Sequence, residues 1–133
     1  MQTRVLQINE VLQKKYMSIF KELGLSQEVV DSLIELGYEQ PTEIQKISIP
    51  QILGSKNDLK AFAQTGTGKT AAFSLPIIEQ INIANKNTQA IILSPTRELA
   101  IQIANNINDF SKNLKGVNVL AVYGGANIED QIS

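Results

Sequence analysis

The sequence predicts an α/β fold, a parallel sheet with helices on both faces, from three short apolar runs that alternate with turn residues and helix-patterned stretches. The first run, residues 59–63, is preceded by the turn-like Ser55, Lys56, Asn57 and Asp58 and opens into a glycine-rich loop, after which a helix is expected from Lys69. The second, residues 90–93, precedes Leu99, Ile103, Ile107 and Phe110, which recur at the spacing of one helical face. The third, residues 117–122, ends at Gly124 and Gly125. Strands joined through helices of this length need right-handed crossovers, and those make neighbouring strands parallel.

Upstream of the first run the pattern is helical. Ser26 stands where it would cap a helix whose Val29, Leu33 and Leu36 share a face, and Gly37 stands where a glycine closes one. A second helix is expected to start at Thr42, after Pro41. The helix from Lys69 is expected to be interrupted near Pro76, because proline lacks a backbone donor and crowds the preceding turn. Residues 82–87, rich in asparagine, read as a surface loop. Residues 1–19 fit a helix only loosely and are set apart as an N-terminal extension of uncertain structure, leaving 20–133 as one folded unit.

Composition narrows the chemistry. With 133 residues, 43% hydrophobic and 19% charged, there is material for one domain with an apolar core. No apolar run approaches the roughly 20 residues of a membrane helix, and the start lacks a signal peptide's apolar stretch, so a cytoplasmic location without membrane contact is expected. The absence of cysteine and histidine removes disulfides, thiolate sites, the commonest transition-metal ligand and the commonest general base. Chemistry is left to carboxylates, lysine, arginine, hydroxyls or a hard cation such as magnesium. A formal charge of -1 gives no basic footprint for nucleic acid.

The strongest chemical signal is Ala63, Gln64, Thr65, Gly66, Thr67, Gly68, Lys69 and Thr70, between a predicted strand and a predicted helix. This is a Walker A pattern with alanine in the first position. Gly66 and Gly68 let the backbone curl so that amide hydrogens and the helix N-terminus point at phosphate oxygens. Lys69 would neutralise the β and γ phosphates of ATP, and the Thr70 hydroxyl would ligate Mg2+. The plainer alternative is a glycine-rich turn with Lys69 solvated. Such a loop alone implies only nucleotide binding.

Gly37, Tyr38, Glu39, Gln40, Pro41, Thr42, Glu43, Ile44 and Gln45 resemble the Q motif of DEAD-box RNA helicases, and Phe20 stands upstream where that family has its isolated aromatic. The resemblance implies that Gln45 bonds the adenine edge and Phe20 stacks on the base, with Tyr38 in the same binding segment. A carboxamide has the donor and acceptor that adenine N7 and N6 require. The same residues also fit a capping box, with Gln45 returning to the Thr42 amide, and Phe20 alone would be a core residue.

Pro95, Thr96, Arg97, Glu98, Leu99 and Ala100 are identical to motif Ia of that family, and Gly124 with Gly125 matches its double-glycine motif. Both follow predicted strands, on the rim where ligands bind in open α/β sheets. The resemblance implies sequence-independent contacts to the RNA backbone from Pro95, Thr96, Arg97, Gly124 and Gly125. It spans Phe20 to the C-terminus and implies a RecA-like ATP-binding domain, here its N-terminal part. The family's Asp-Glu-Ala-Asp and Ser-Ala-Thr segments and its second domain are not in these 133 residues. The parent is therefore expected to be an ATPase and helicase, and this chain to bind adenine nucleotide without turnover, on a sheet incomplete at its C-terminal end. A non-catalytic nucleotide-binding or interaction module and a P-loop NTPase of another kind are the competing readings.

Overall fold

The computed structural model describes the backbone of residues 2–125 and the side chains of residues 10–125, so that positions 126–133 of the expected folded unit lie outside the described residues. Five helices follow one another: α1 Gln2–Glu22, α2 Gln27–Glu35, α3 Glu43–Gly54, α4 Lys69–Gln80 and α5 Arg97–Phe110. The extension whose spacing fits a helix only loosely is helical, continuous in α1 through Phe20. α3 packs most extensively on α4, α1 lies on α2, and both α2 and α4 reach α5. The core sits among them, with Phe20, Val29, Val30, Leu33, Ile49 and Leu75 wholly buried.

Helix ends follow local chemistry reinforced from a distance. Ser26 precedes α2, but its hydroxyl does not cap the helix. The cap comes from α4, where Glu79 Oε1 accepts from Ser26 N at 2.7 Å and from Ser26 Oγ at 2.8 Å. α2 closes at Gly37, whose φ of 83° lets the Gly37 and Tyr38 amides return to the carbonyls of Ile34 and Leu33. The edge of Tyr38 then meets Phe110 at the end of α5, ring centroids 5.8 Å apart. Asn113 N donates to Ser32 Oγ at 3.3 Å, while Lys112 pairs with Glu35. Hydrogen bonds from Lys112 and then Asn113 hold the Glu35 carboxyl below its ordinary value.

Two expectations need correction. α4 is not interrupted near Pro76 but runs through it, as α3 runs through Pro50. Leu75, Pro76 and Ile78 are all buried, and that packing outweighs the missing hydrogen bond. The second concerns the sheet. Residues 59–63, 90–93 and 117–122 lie outside every helix, yet no strand ladder forms among the described residues. In two of them the side chains still alternate with a period of two, as in an extended chain: Val117, Val119 and Ala121 are half-buried, while Leu120 and Val122 are exposed. Ile92 is likewise half-buried between exposed Ile91 and Leu93. A strand is defined by a hydrogen-bonded neighbour about 4.8 Å away, and among the described residues these segments have none. Phe62 and Leu93, each 90% exposed, lie on the side that no described element covers.

The Glu79 cap generates a test of how the halves of this helical layer are joined. Glu79→Ala should cost about 1–2 kcal/mol by urea unfolding, since it uncaps α2 and frees a part-buried amide. An unchanged midpoint would show that water caps α2 equally well.

Candidate functional site

The glycine-rich loop is shaped by its own glycines and by α3. Gly66 and Gly68 have φ of 78° and 81°, the left-handed region that glycine adopts without strain. Gly68 is the N-cap of α4, and the turn before it is tied by Thr67 Oγ1 donating to the Gln64 carbonyl at 2.7 Å. Lys69 is exposed, its Nζ donating to the Ala63 carbonyl at 2.7 Å across the mouth of the loop. Thr70, half-buried, follows it in the first turn of α4. Lys69 therefore presents an ammonium group where the loop opens, beside a helix N-terminus, and the pair forms a binding place for anions.

Gln45 is the hinge between this loop and the segment in front of it. Its Oε1 accepts from Thr42 N at 3.0 Å, one half of a capping box on α3. Its Nε2 donates to the Gly68 carbonyl at 3.1 Å. The fit is close: a Cβ on Gly68 would collide with Gln45 Nε2 and stand 3.2 Å from Thr42 Oγ1. Gln45 is only 1% exposed, so its amide is covered in the ligand-free chain. A primary amide has two hydrogens and two lone pairs, and these bonds use one of each.

The two aromatic residues of the segment both pack against the helical core. Phe20 is 0% exposed and belongs to the apolar cluster with Leu25, Val29 and Leu33. No face of its ring is open to a base, because the last turn of α1 packs onto α2 there. Its work in this structure is core packing. Tyr38 packs its edge on Phe110, and burial raises its phenol above the ordinary value, so it stays neutral.

The second group of candidates gathers at the start of α5. Thr96 caps this helix, its Oγ1 accepting from Leu99 N at 3.2 Å, and Pro95 and Arg97 are exposed beside it. The Arg97 guanidinium reaches the double glycine: a Cβ on Gly125, whose φ is 86°, would lie 3.5 Å from Arg97 Nη1. Arg97 also stands over the Tyr123 ring at 5.9 Å from its centroid, and its Nε is 3.5 Å from Glu98 Oε1. Two segments far apart in sequence thus meet through one arginine. Sequence reasoning missed Tyr123, although its place directly before the double glycine was visible. It also missed Thr42 and Gln45 as supports of Gly68, for which no local signal exists. Among the described residues no cluster of three or more acidic side chains could hold a metal ion by itself.

The loop at the start of α4, with a glutamine from the preceding helix locked onto it, has the order and shape of a glycine-rich strand-to-helix connection. Residues 42–133 match the family model for DEAD/DEAH box helicases, and the chain belongs to that family. It is 45% identical over 118 residues to the ATP-dependent RNA helicase DeaD of Escherichia coli K12, covering 89% of this chain and 19% of the relative. It resembles the crystal structure of a DEAD box protein from Methanococcus jannaschii with a TM-score of 0.72 and 45% identity, over 85% of this chain and 31% of that one. Dbp5 of S. cerevisiae bound to RNA and ADP BeF3 gives a TM-score of 0.70 at 37% identity, over 72% of this chain and 25% of that one. The chain thus shares the fold of DEAD-box proteins and spans about a fifth of the length of the curated relative.

Gln45 yields a two-variant test. Gln45→Glu keeps an acceptor for Thr42 N but sets a carboxylate against the Gly68 carbonyl, whereas Gln45→Ala removes both bonds. Each should lower stability by about 1–3 kcal/mol in urea unfolding, since each leaves a buried polar group without its partner. Native stability in Gln45→Glu would mean that the bond to Gly68 contributes nothing.

Proposed function

We propose that this chain is the nucleotide-binding front of an ATP-dependent RNA helicase, taking an adenine nucleotide at residues 63–70 and an RNA backbone at the rim formed by Pro95, Thr96, Arg97, Gly124 and Gly125. The observation that carries this reading is the loop itself, curled around Gly66 and Gly68 with Lys69 at its mouth and Gln45 fastened to its last carbonyl. Phosphate oxygens would take the place of the Ala63 carbonyl as the partner of Lys69 Nζ. The amide hydrogen and lone pair that Gln45 has left complement adenine N7 and N6, so reading the base requires opening the cover over the amide, not breaking its bonds. The likeness to a protein solved with RNA and ADP BeF3 supports both halves of the proposal.

Thr70 fits magnesium as one hydroxyl ligand among phosphates and water, the usual company of that ion. The metal would supply charge neutralisation at the phosphates. Thr70's part is to orient one ligand position from the rigid first turn of α4. The three segments are inferred to be strands of a parallel sheet, supported by the period-two exposure of 90–93 and 117–122 and by the fold shared with DEAD-box structures. Turnover requires a group to orient water and further charge stabilisation, and these 133 residues bring no carboxylate cluster to the loop among the described positions. Binding without turnover is therefore the proposed activity of the chain by itself, in the cytoplasm.

Calorimetry checks the reading directly. The chain should bind ADP more tightly than GDP, and Lys69→Ala should weaken ATP binding by at least about tenfold, one lost charge-assisted contact, while the melting temperature moves little. Equal affinity for ADP and GDP, or a collapse of stability in Lys69→Ala with ATP binding unchanged, would contradict it.

A further inference from the structure

Arg97 has an unusual set of neighbours for an exposed arginine. It opens α5 directly after the Thr96 cap, with its side chain 51% exposed. Its only ion pair among the described residues is the 3.5 Å contact with the adjacent and still more solvated Glu98, a type of pair that holds a side chain weakly. What the fold brings to it from elsewhere is the half-buried Tyr123 ring, at 5.9 Å, and the backbone of Gly125. Tyr123 in turn belongs to the inward-facing side of the extended segment 117–122, in step with Val117, Val119 and Ala121, so its position is set by the period of that segment.

The physical difference between these neighbours decides what Tyr123 does. A carboxylate that held Arg97 in place would also cancel its charge. An aromatic face attracts a guanidinium through the ring quadrupole and leaves the full positive charge available, with the N–H groups free to bond to an anion. Arginine otherwise loses rotamer freedom when it grips a phosphate, and a ring that restrains it beforehand lowers that cost. We propose that Tyr123 is a positioning residue for RNA binding, its ring holding the Arg97 guanidinium beside Gly125 so that the charge is aimed at one phosphate of the strand. This rests on the reading of the rim as an RNA-backbone site and adds to it a residue that makes no direct contact with RNA.

The test is a double-mutant cycle on the 133-residue chain, with binding of a short fluorescein-labelled oligouridylate followed by anisotropy over a series of salt concentrations. Arg97→Ala should weaken binding and reduce the salt slope by about 0.7, one phosphate contact on a single strand. Tyr123→Leu should weaken binding about twofold to fivefold and Tyr123→Phe should keep it, as the ring face remains. In the Arg97→Ala background Tyr123→Leu should have no further effect, because its action passes through the arginine. A second measurement needs no variant: the Arg97 δ protons of the native chain should be shifted upfield in NMR spectra by the ring.

The outcomes separate. No effect of Arg97→Ala removes the RNA reading of the rim and this proposal with it. An effect of Arg97→Ala with none of Tyr123→Leu leaves the rim intact and overturns the positioning role. An equal loss from Tyr123→Leu with and without Arg97 means that the ring meets RNA itself, which also overturns it. So does a Tyr123→Phe variant as weak as Tyr123→Leu, which would move the effect to the hydroxyl. If Tyr123→Leu proves unfolded, unshifted Arg97 δ protons in the native chain overturn the proposal without it.

Discussion

The bond pair made by the Gln45 side chain is the constraint on which the glycine-rich loop depends. One amide stitches the first turn of α3, through Thr42 N, to the N-cap of α4, through the Gly68 carbonyl. Those two helices form the most extensive contact among the described elements, so the loop between residues 63 and 70 is anchored to the most closely packed pair of helices. Left-handed φ at Gly66 and Gly68 explains why glycine is needed there, and the collision awaiting any Cβ on Gly68 explains why nothing larger fits. A phosphate loop built in this way has its shape before a ligand arrives, and preorganisation of that kind lowers the cost of binding.

The remainder of the structure divides into a well-packed helical layer and an open flank. α2 is held twice, at its start by Glu79 of α4 and at its end by the contacts of Glu35, Ser32 and Tyr38 with the region after α5. The flank made by the extended segments is different in character. Their inner residues pack on the helices while Phe62, Ile91, Leu93, Leu120 and Val122 face outward. The nucleotide loop and the Arg97 rim both lie at ends of these segments, so both sites are supported from the helical side.

Much of this was legible in the chain. Gly37, Thr42 and Thr96 marked helix boundaries, because capping depends on residues adjacent in sequence, and Ser26 marked one as well although Glu79, not its own hydroxyl, supplies the cap. The loop from Ala63 to Thr70 was legible for the same reason. Continuation of α4 through Pro76 was not, since a local rule about proline was overridden by burial contributed from α3 and the core. Phe20, read by itself as a core residue and by family resemblance as a base-stacking one, lies in the core where α1 packs on α2. Helix capping by Glu79, the reach of Gln45 to Gly68 and the seat of Arg97 on Tyr123 are contacts between residues far apart in sequence, and local pattern carries no information about them.

The central claim is that Gln45 shapes the phosphate loop before any nucleotide binds. The most direct measurement compares backbone amide resonances of the ligand-free native chain with those of Gln45→Glu. The account predicts large shifts or broadening at Gly66, Gly68 and Lys69, with Val30 and Phe110 in the α2 and α5 regions left in place. Unchanged loop resonances in the variant would contradict it and would show that the loop holds its shape through its own glycines alone.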